Sequence, residues 1–289
     1  MKIAVIGGDR RAALLAETLA REGERVHSFA LEKAALPAEI PKENCLTACV
    51  YNAELILLPV PSECGPLLNT PLSDQILPMR ELWAALWPGQ MVLGGGFSEE
   101  SAALALRGRQ ELHDLLRCPA FVTANAALTA EGAIALLLRE SERCLNGSAC
   151  LVLGFGRIGK LLTLRLKALG ARVCVAARRE AERALAESFG CESLALDALE
   201  GRIGDFDFIV NTIPSRVIGD AALCCVSPEA LLLELASKPG GFDRELAENV
   251  GLRALHAPGL PGREFARSAA ALLRRETERI LREKEAYDG

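Results

Sequence analysis

The run "ACLVLGFGRIGKLLTLRLKALG" constrains the fold of this chain more than any other stretch. Strand-like "CLVLG" leads without a spacer into Gly154, Gly156 and Gly159, and a helix-like pattern follows at once. The glycines form GxGxxG, and each has a separate physical task. The first permits a tight turn, the second lets the backbone approach a pyrophosphate, and the third lets helix and strand pack closely. The helix N-terminus then offers free amides and a positive dipole end to phosphate. We therefore expect Gly154, Phe155, Gly156, Arg157, Ile158 and Gly159 to hold a dinucleotide, with Thr212 and Pro214 of the loop "NTIPS" as further cofactor contacts.

A second candidate opens the chain, in "MKIAVIGGDRRAALLAETLAREG". Here Asp9 stands where the second glycine should let phosphate approach, and a carboxylate there would block and repel it. The first turn is expected to be a substrate-side or packing loop, with Arg10 and Arg11 near a cleft, while the cofactor sits at Gly154 to Gly159. Cofactor choice is read after the next strand, in "RVCVAARRE". An acidic residue that would hold the ribose hydroxyls of NAD is missing, and Arg178 follows Ala176 and Ala177. Paired with a 2′-phosphate, Arg178 would favour NADP roughly tenfold to a hundredfold, with NAD still possible.

At 289 residues the chain suits two domains. Half of the residues are hydrophobic but only 4% aromatic, as befits buried parallel strands covered by helices. Strand-like and helix-like runs alternate from "KIAVIGG" through "AELILLPVP", "RELWAALW", "MVLGGG", a helix near "EESAALALRGRQELHDLL", and a strand at "AFVTAN". Trp83 and Trp87, at i and i+4, read as a buried helix stripe. The helix "TAEGAIALLLRESERCL", stopped by Asn146-Gly147, is expected to bridge the domains, and the alternation then restarts. The fold class expected is α/β, with two doubly wound parallel-sheet domains, the second a Rossmann NAD(P)-binding domain, and a cleft between them. The expected bounds are 1–128, 129–262 including the bridging helix, and 263–289 for a C-terminal helix. That helix, with Phe265, Ala269, Leu272, Leu273 and Ile280 on one side, is expected to pack back on the first domain.

Thirty-three basic against 38 acidic residues give a net charge of −5, with no basic block to follow a phosphate backbone, so nucleic acid is not expected as a partner. The runs "AIALLLRE" and "EALLLELA" are shorter than the roughly 18 residues of a membrane span, and a cytoplasmic protein is expected. Ten scattered cysteines without CxxC, most inside apolar runs, read as small hydrophobes in a reducing compartment. Cys45 and Cys49 have helical spacing, but no histidine lies near them and no metal site is expected.

Strand-end loops should carry the chemistry. In "ELASKPGG", Ser237 and Lys238 stand between a buried strand and a flexible turn, where a cation could hold a substrate carboxylate or simply be solvated. His256 ends a strand and is the obvious general-base candidate, yet no carboxylate that would orient it can be named. A packed or half-exposed histidine is the commoner case, and no catalytic residue is assigned.

Taken in order, "IAVIGGDRR", "LLPVP", "TAEG", "LGFGRIGK", "NTIPS", "ELASKPGG" and "APGLPG" resemble the dipicolinate synthase A-subunit family from about residue 2 to the C-terminal helix. The resemblance implies a relative of the D-2-hydroxyacid and alanine dehydrogenases that oxidises dihydrodipicolinate to dipicolinate with a nicotinamide cofactor. It implies the mother cell of a sporulating bacterium as its place and the flavoprotein-like B subunit of dipicolinate synthase for a partner; a homo-oligomer is expected besides. Lys238 matches a basic position of the family, and Ser215 and Ser237 match its hydroxyls; these are expected carboxylate contacts, with Thr129 and Glu131 as further candidates. The chain departs from the family in lacking a proline before Thr129 and in carrying His256 where an apolar residue is expected. It also lacks the Arg, Glu and His set of the D-2-hydroxyacid dehydrogenases. Two rival readings are another 2-hydroxy or amino acid dehydrogenase, and a non-catalytic nucleotide-binding component of a complex, since the glycines report binding only.

Overall fold

In the computed structural model, which describes residues 1–288, the chain divides into two compact units, residues 1–125 with 261–288, and Ala126–Leu260.

The first unit is built on five parallel strands, β1 (Lys2–Ile6), β2 (Arg25–Phe29), β3 (Leu55–Leu57), β4 (Met91–Gly94) and β5 (Glu111–Asp114), in the order β2-β1-β3-β4-β5. This is the doubly wound order of flavodoxin-like sheets, with its switch point between β1 and β3. Helix α1 (Arg10–Arg21) buries Ala12, Leu15, Ala16 and Leu19, spaced to share one face. The C-terminal helix Ala266–Asp288 packs along α1, burying Ala269, Leu272, Leu273 and Ile280, and Arg274 Nε lies 2.6 Å from Glu22 Oε1. Phe265 falls just before that helix and is only half-buried.

Three local readings differ from the alternation pattern. The run "RQELHDLL" looks like a helix tail, but α2 (Glu99–Gly108) stops where Arg109 adopts φ +57°, and Glu111–Asp114 becomes the edge strand β5. "AFVTAN" looks like a strand from its Phe, Val and Thr, yet it forms the first turns of α3 (Pro119–Arg139). Pro119 begins that helix, where its missing N–H leaves no bond unmade, and Phe121 is fully buried; tertiary packing overrides a β propensity that is weak by nature. Trp83 is buried and its Nε1 donates to Ser101 Oγ at 2.9 Å, but the helix ends at Ala85 and Trp87 is 56% exposed, so the two do not form one buried stripe.

Helix α3 is the one described helix long and apolar enough to cross a membrane by length and composition. Its Ala130, Ala133, Leu136 and Leu137 are at most 5% exposed, in the core of the second unit. It ends at Arg139, earlier than Asn146-Gly147, where Gly147 at φ +78° instead turns the chain before the next strand.

The second unit has six parallel strands, β6 (Ala149–Leu153), β7 (Arg172–Ala176), β8 (Glu192–Leu194), β9 (Phe208–Asn211), β10 (Leu231–Glu234) and β11 (Arg253–His256). Their order, β8-β7-β6-β9-β10-β11, is that of a Rossmann sheet. Both faces are covered. Val152, Val175, Val210 and Leu233 belong to one apolar cluster, and Leu151, Cys174, Ile209 and Leu232 to the other. That double burial is why these strands read as continuous apolar runs.

All ten cysteines are free, but only Cys49, Cys150, Cys174 and Cys191 are buried; five are exposed, which corrects the expectation that most pack as small hydrophobes. Among the described residues no group of three or more ligating side chains could hold a metal ion.

Candidate dinucleotide and substrate site

Strand β6 runs directly into the glycine turn, and its three glycines meet three different surroundings. Gly154 adopts φ +94°, and a Cβ there would stand 2.6 Å from Thr212 Oγ1. At Gly159 a Cβ would stand 2.1 Å from the Gly154 carbonyl oxygen, so helix α4 (Arg157–Ala168) approaches the turn as only glycine allows. At Gly156 a Cβ would meet nothing within 4 Å. Packing within the protein thus demands the first and third glycines and leaves the space above the second open. Gly156 is also the N-cap of α4 and supplies no side chain to its first amides. This open, uncapped turn fits a dinucleotide pyrophosphate.

The neighbouring residues divide into framework and rim. Phe155 is 1% exposed and packs 6.2 Å from the Phe189 ring, so it can meet a cofactor only through its backbone. The Thr212 hydroxyl donates to the Leu153 carbonyl at 2.8 Å, tying the end of β9 to β6. Arg157 and Pro214 are exposed, and Ile158 is half-buried. After β7, Ala177 is buried, and Arg183 Nη1 donates to the carbonyls of Ala177 (3.0 Å) and Arg178 (2.9 Å), pinning the backbone there. Arg179 is paired with Glu182, whereas the exposed Arg178 guanidinium has no ion-pair partner among the described residues.

The turn after β1 is built differently. Asp9 caps α1, accepting from Arg11 N at 2.9 Å, and its carboxylate also takes Arg11 Nε (2.9 Å) and Nη2 (2.8 Å). Arg11 Nη2 donates in addition to the Val60 carbonyl at 2.7 Å, and Arg11 is 8% exposed. A Cβ on Gly262 would stand 2.4 Å from Asp9 Oδ2. Arg11 therefore serves packing, one of the two roles expected for this turn; Arg10 is exposed.

The loop after β10 carries Ser237 and Lys238, both exposed. It is shaped by a residue that the motif reading missed. Glu234, 5% exposed at the end of β10, accepts from Asn211 Nδ2 (2.8 Å to Oε1, 3.0 Å to Oε2), from Ala236 N (2.8 Å) and from Gly241 N (2.6 Å). One buried carboxylate thus holds both ends of the loop and faces Asn211, its register partner on β9. The signal was present in "ALLLELA", because an acidic residue in an otherwise apolar strand must find buried donors. The Gly241 carbonyl in turn accepts from Val217 N (2.8 Å) and Ile218 N (2.9 Å), which joins the half-buried Ser215's loop to that of Lys238. Thr129 and Glu131 lie on α3, where Thr129 is 8% exposed and Glu131 stands 3.8 Å from Arg165.

Lys238 also lines a cavity of about 250 Å³ at the carboxyl ends of β10 and β11, together with Arg244 and His256. His256 is exposed rather than packed.

Residues 2–116 match the model of the N-terminal domain of the dipicolinate synthase A subunit, and residues 127–236 match that of the NAD binding domain of D-isomer specific 2-hydroxyacid dehydrogenases. Over 300 aligned residues the chain is 30% identical to the dipicolinate synthase A subunit of Bacillus subtilis (strain 168), covering all of this chain and 98% of the relative. The chain belongs to the dipicolinate synthase A-subunit family. The crystal structure of dipicolinate synthase, A chain, from Bacillus subtilis superposes with a TM-score of 0.82 at 29% identity, covering 99% of this chain and 97% of the other. The dipicolinate synthase A subunit from Bacillus halodurans gives 0.84 at 25% identity, covering 97% of each. The apo-structure of Escherichia coli D-lactate dehydrogenase, 14% identical with a TM-score of 0.66 over 99% of this chain and 98% of that one, shares the fold. With its NAD-binding dehydrogenase domain, this member of the A-subunit family is an NAD(P)-dependent oxidoreductase.

Proposed function

We propose that the chain oxidises dihydrodipicolinate to dipicolinate, pyridine-2,6-dicarboxylate, with NADP as the preferred nicotinamide cofactor and NAD as the lesser one. The observation that carries this reading is the end-to-end likeness to the Bacillus subtilis protein, in a chain whose glycine turn is open at Gly156 and closed at Gly159. When bound, the nicotinamide accepts the hydride. Loss of a hydride and a proton makes the ring aromatic, so product stability supplies driving force and the chain's task is to orient a dianionic ring.

In this reading Gly154 to Gly159 hold the pyrophosphate through backbone amides, with Thr212 and Pro214 at the rim. Arg178 pairs with the 2′-phosphate. Lys238, Ser237 and Ser215 hold substrate carboxylates, and Thr129 and Glu131 are further candidates on α3. The protein works in the cytoplasm of the mother cell of a sporulating bacterium, in oligomeric form, with the flavoprotein-like B subunit.

The decisive assay follows reduced nicotinamide formation with freshly generated dihydrodipicolinate, with and without the flavoprotein-like partner. Turnover is expected; no turnover in either case overturns the reading. Arg178→Ala should weaken NADP binding about tenfold or more and leave NAD binding unchanged. Equal affinity of the unmodified chain for the two cofactors, with no effect of Arg178→Ala, would remove the NADP preference.

A further inference from the structure

The cavity beside Lys238 has a composition that the dinucleotide turn does not explain. It opens at the carboxyl ends of β10 and β11, the edge of the sheet from which the Gly154 turn also projects and where open α/β sheets bind ligands. At about 250 Å³ it falls just below the usual range of small-molecule sites, about 300–1,000 Å³, and suits one ring better than a dinucleotide. Phe242, Pro239 and Leu255 give it apolar walls, while its polar groups are mostly donors.

The charge that remains available there is positive. Among the described residues Glu234 is the only carboxylate lining the cavity, and both its oxygens already accept from Asn211 and from the amides of Ala236 and Gly241. Among the described residues neither Lys238 Nζ nor the His256 ring has a hydrogen-bond or ion-pair partner. Arg244 uses Nε on Glu248 Oε1 at 3.0 Å and keeps its terminal nitrogens uncommitted. Three donors around apolar walls, over a carboxylate already engaged, match a flat ring that bears carboxylate groups.

We propose that this cavity is a subsite for a ring-borne carboxylate, and that Arg244 and His256 bind it together with Lys238. The proposal rests on the reading of Lys238 as a carboxylate contact and adds two residues to it. The ring lies against Phe242 and Leu255, and Glu234 acts by holding the loop that presents Lys238.

The test is calorimetric titration of the full-length chain with dipicolinate, pyridine-2-carboxylate and uncharged pyridine. Arg244→Gln and His256→Ala are compared with Arg253→Gln, which lies at the opposite end of β11 and pairs with Glu140. Each of the first two is expected to raise the Kd for dipicolinate about tenfold, the cost of one charge-assisted hydrogen bond. The NADP Kd and the Arg253→Gln control should be unchanged, and pyridine should not bind. A dipicolinate Kd unaffected by both substitutions, or equal binding of pyridine, overturns the subsite. Turnover of dihydrodipicolinate with unaltered variants would sink the subsite and keep the proposed reaction. Binding lost in the variants, in a chain that never turns over, would keep the subsite and sink the reaction.

Discussion

The two strand–glycine–helix turns of this chain begin alike and end differently. After β1, Asp9 caps α1 with its own carboxylate and Arg11 fills the remaining space, so the turn is satisfied from within. After β6, Gly156 caps α4 without a side chain, and a Cβ added there would meet open space. A helix N-terminus attracts an anion in either case. In the first unit the anion is Asp9, part of the chain, whereas the second unit leaves the place for a ligand. One residue at the N-cap separates a turn filled from within from a turn left open.

The comparison breaks most sharply at Gly159. Gly159→Ala puts a Cβ 2.1 Å from a backbone oxygen that cannot move aside, and a loss of about 3 kcal/mol in stability is expected, at the upper end of overpacking costs. Thermal or denaturant unfolding would show it, and NADP binding should disappear with it. In the other turn, Asp9→Ala removes the cap and leaves the buried Arg11 with only the Val60 carbonyl. About 2 kcal/mol should be lost, less than for a fully buried pair because the Asp9 side chain is 31% exposed. Its NADP Kd should not change, and a weaker Kd would mean that the first turn belongs to the cofactor site after all.

Gly156→Ala is the converse experiment. The new methyl meets no protein atom, so the melting temperature should hardly move, while the cofactor Kd should rise about tenfold, or about 1.4 kcal/mol. An unchanged Kd would show that the open space is not used by phosphate.

The smallest effect concerns thiols. Burial pushes Cys49 in the first unit and Cys150 in the second up to about 12, whereas a hydrogen bond with the Thr47 hydroxyl brings the exposed Cys45 down. At a pH of roughly 8, iodoacetamide should label Cys45 first and leave Cys49 and Cys150 untouched, as mapped by mass spectrometry. Above the ordinary thiol value of 9.0 the unfolded thiols ionise while these two stay neutral. Their contribution to stability is complete below that pH and is lost as the pH rises toward about 12.

Much of this was legible in the chain itself. GxGxxG after an apolar strand marked a tight strand-to-helix turn, because Gly154 and Gly159 answer local steric demands that residue type alone expresses. Asp9 marked the first turn as one capped by the chain's own carboxylate. The alternation of runs yielded both doubly wound sheets, since strands buried on two faces must be apolar throughout. Where long-range packing decides, the sequence was silent or misleading. "AFVTAN" became helix because Phe121 found a buried place. Arg11 turned inward because Asp9 and the Val60 carbonyl, 49 residues away, were there to receive it. Glu234 became the keystone of the Lys238 loop only because strand register sets Asn211 beside it. His256 reached the same cavity as Lys238 and Arg244 because β11 pairs with β10. The sequence by itself determined which backbone turns were sterically possible. Which side chains share a site was decided by tertiary structure, because hydrogen bonds and cavities join residues that the chain keeps far apart.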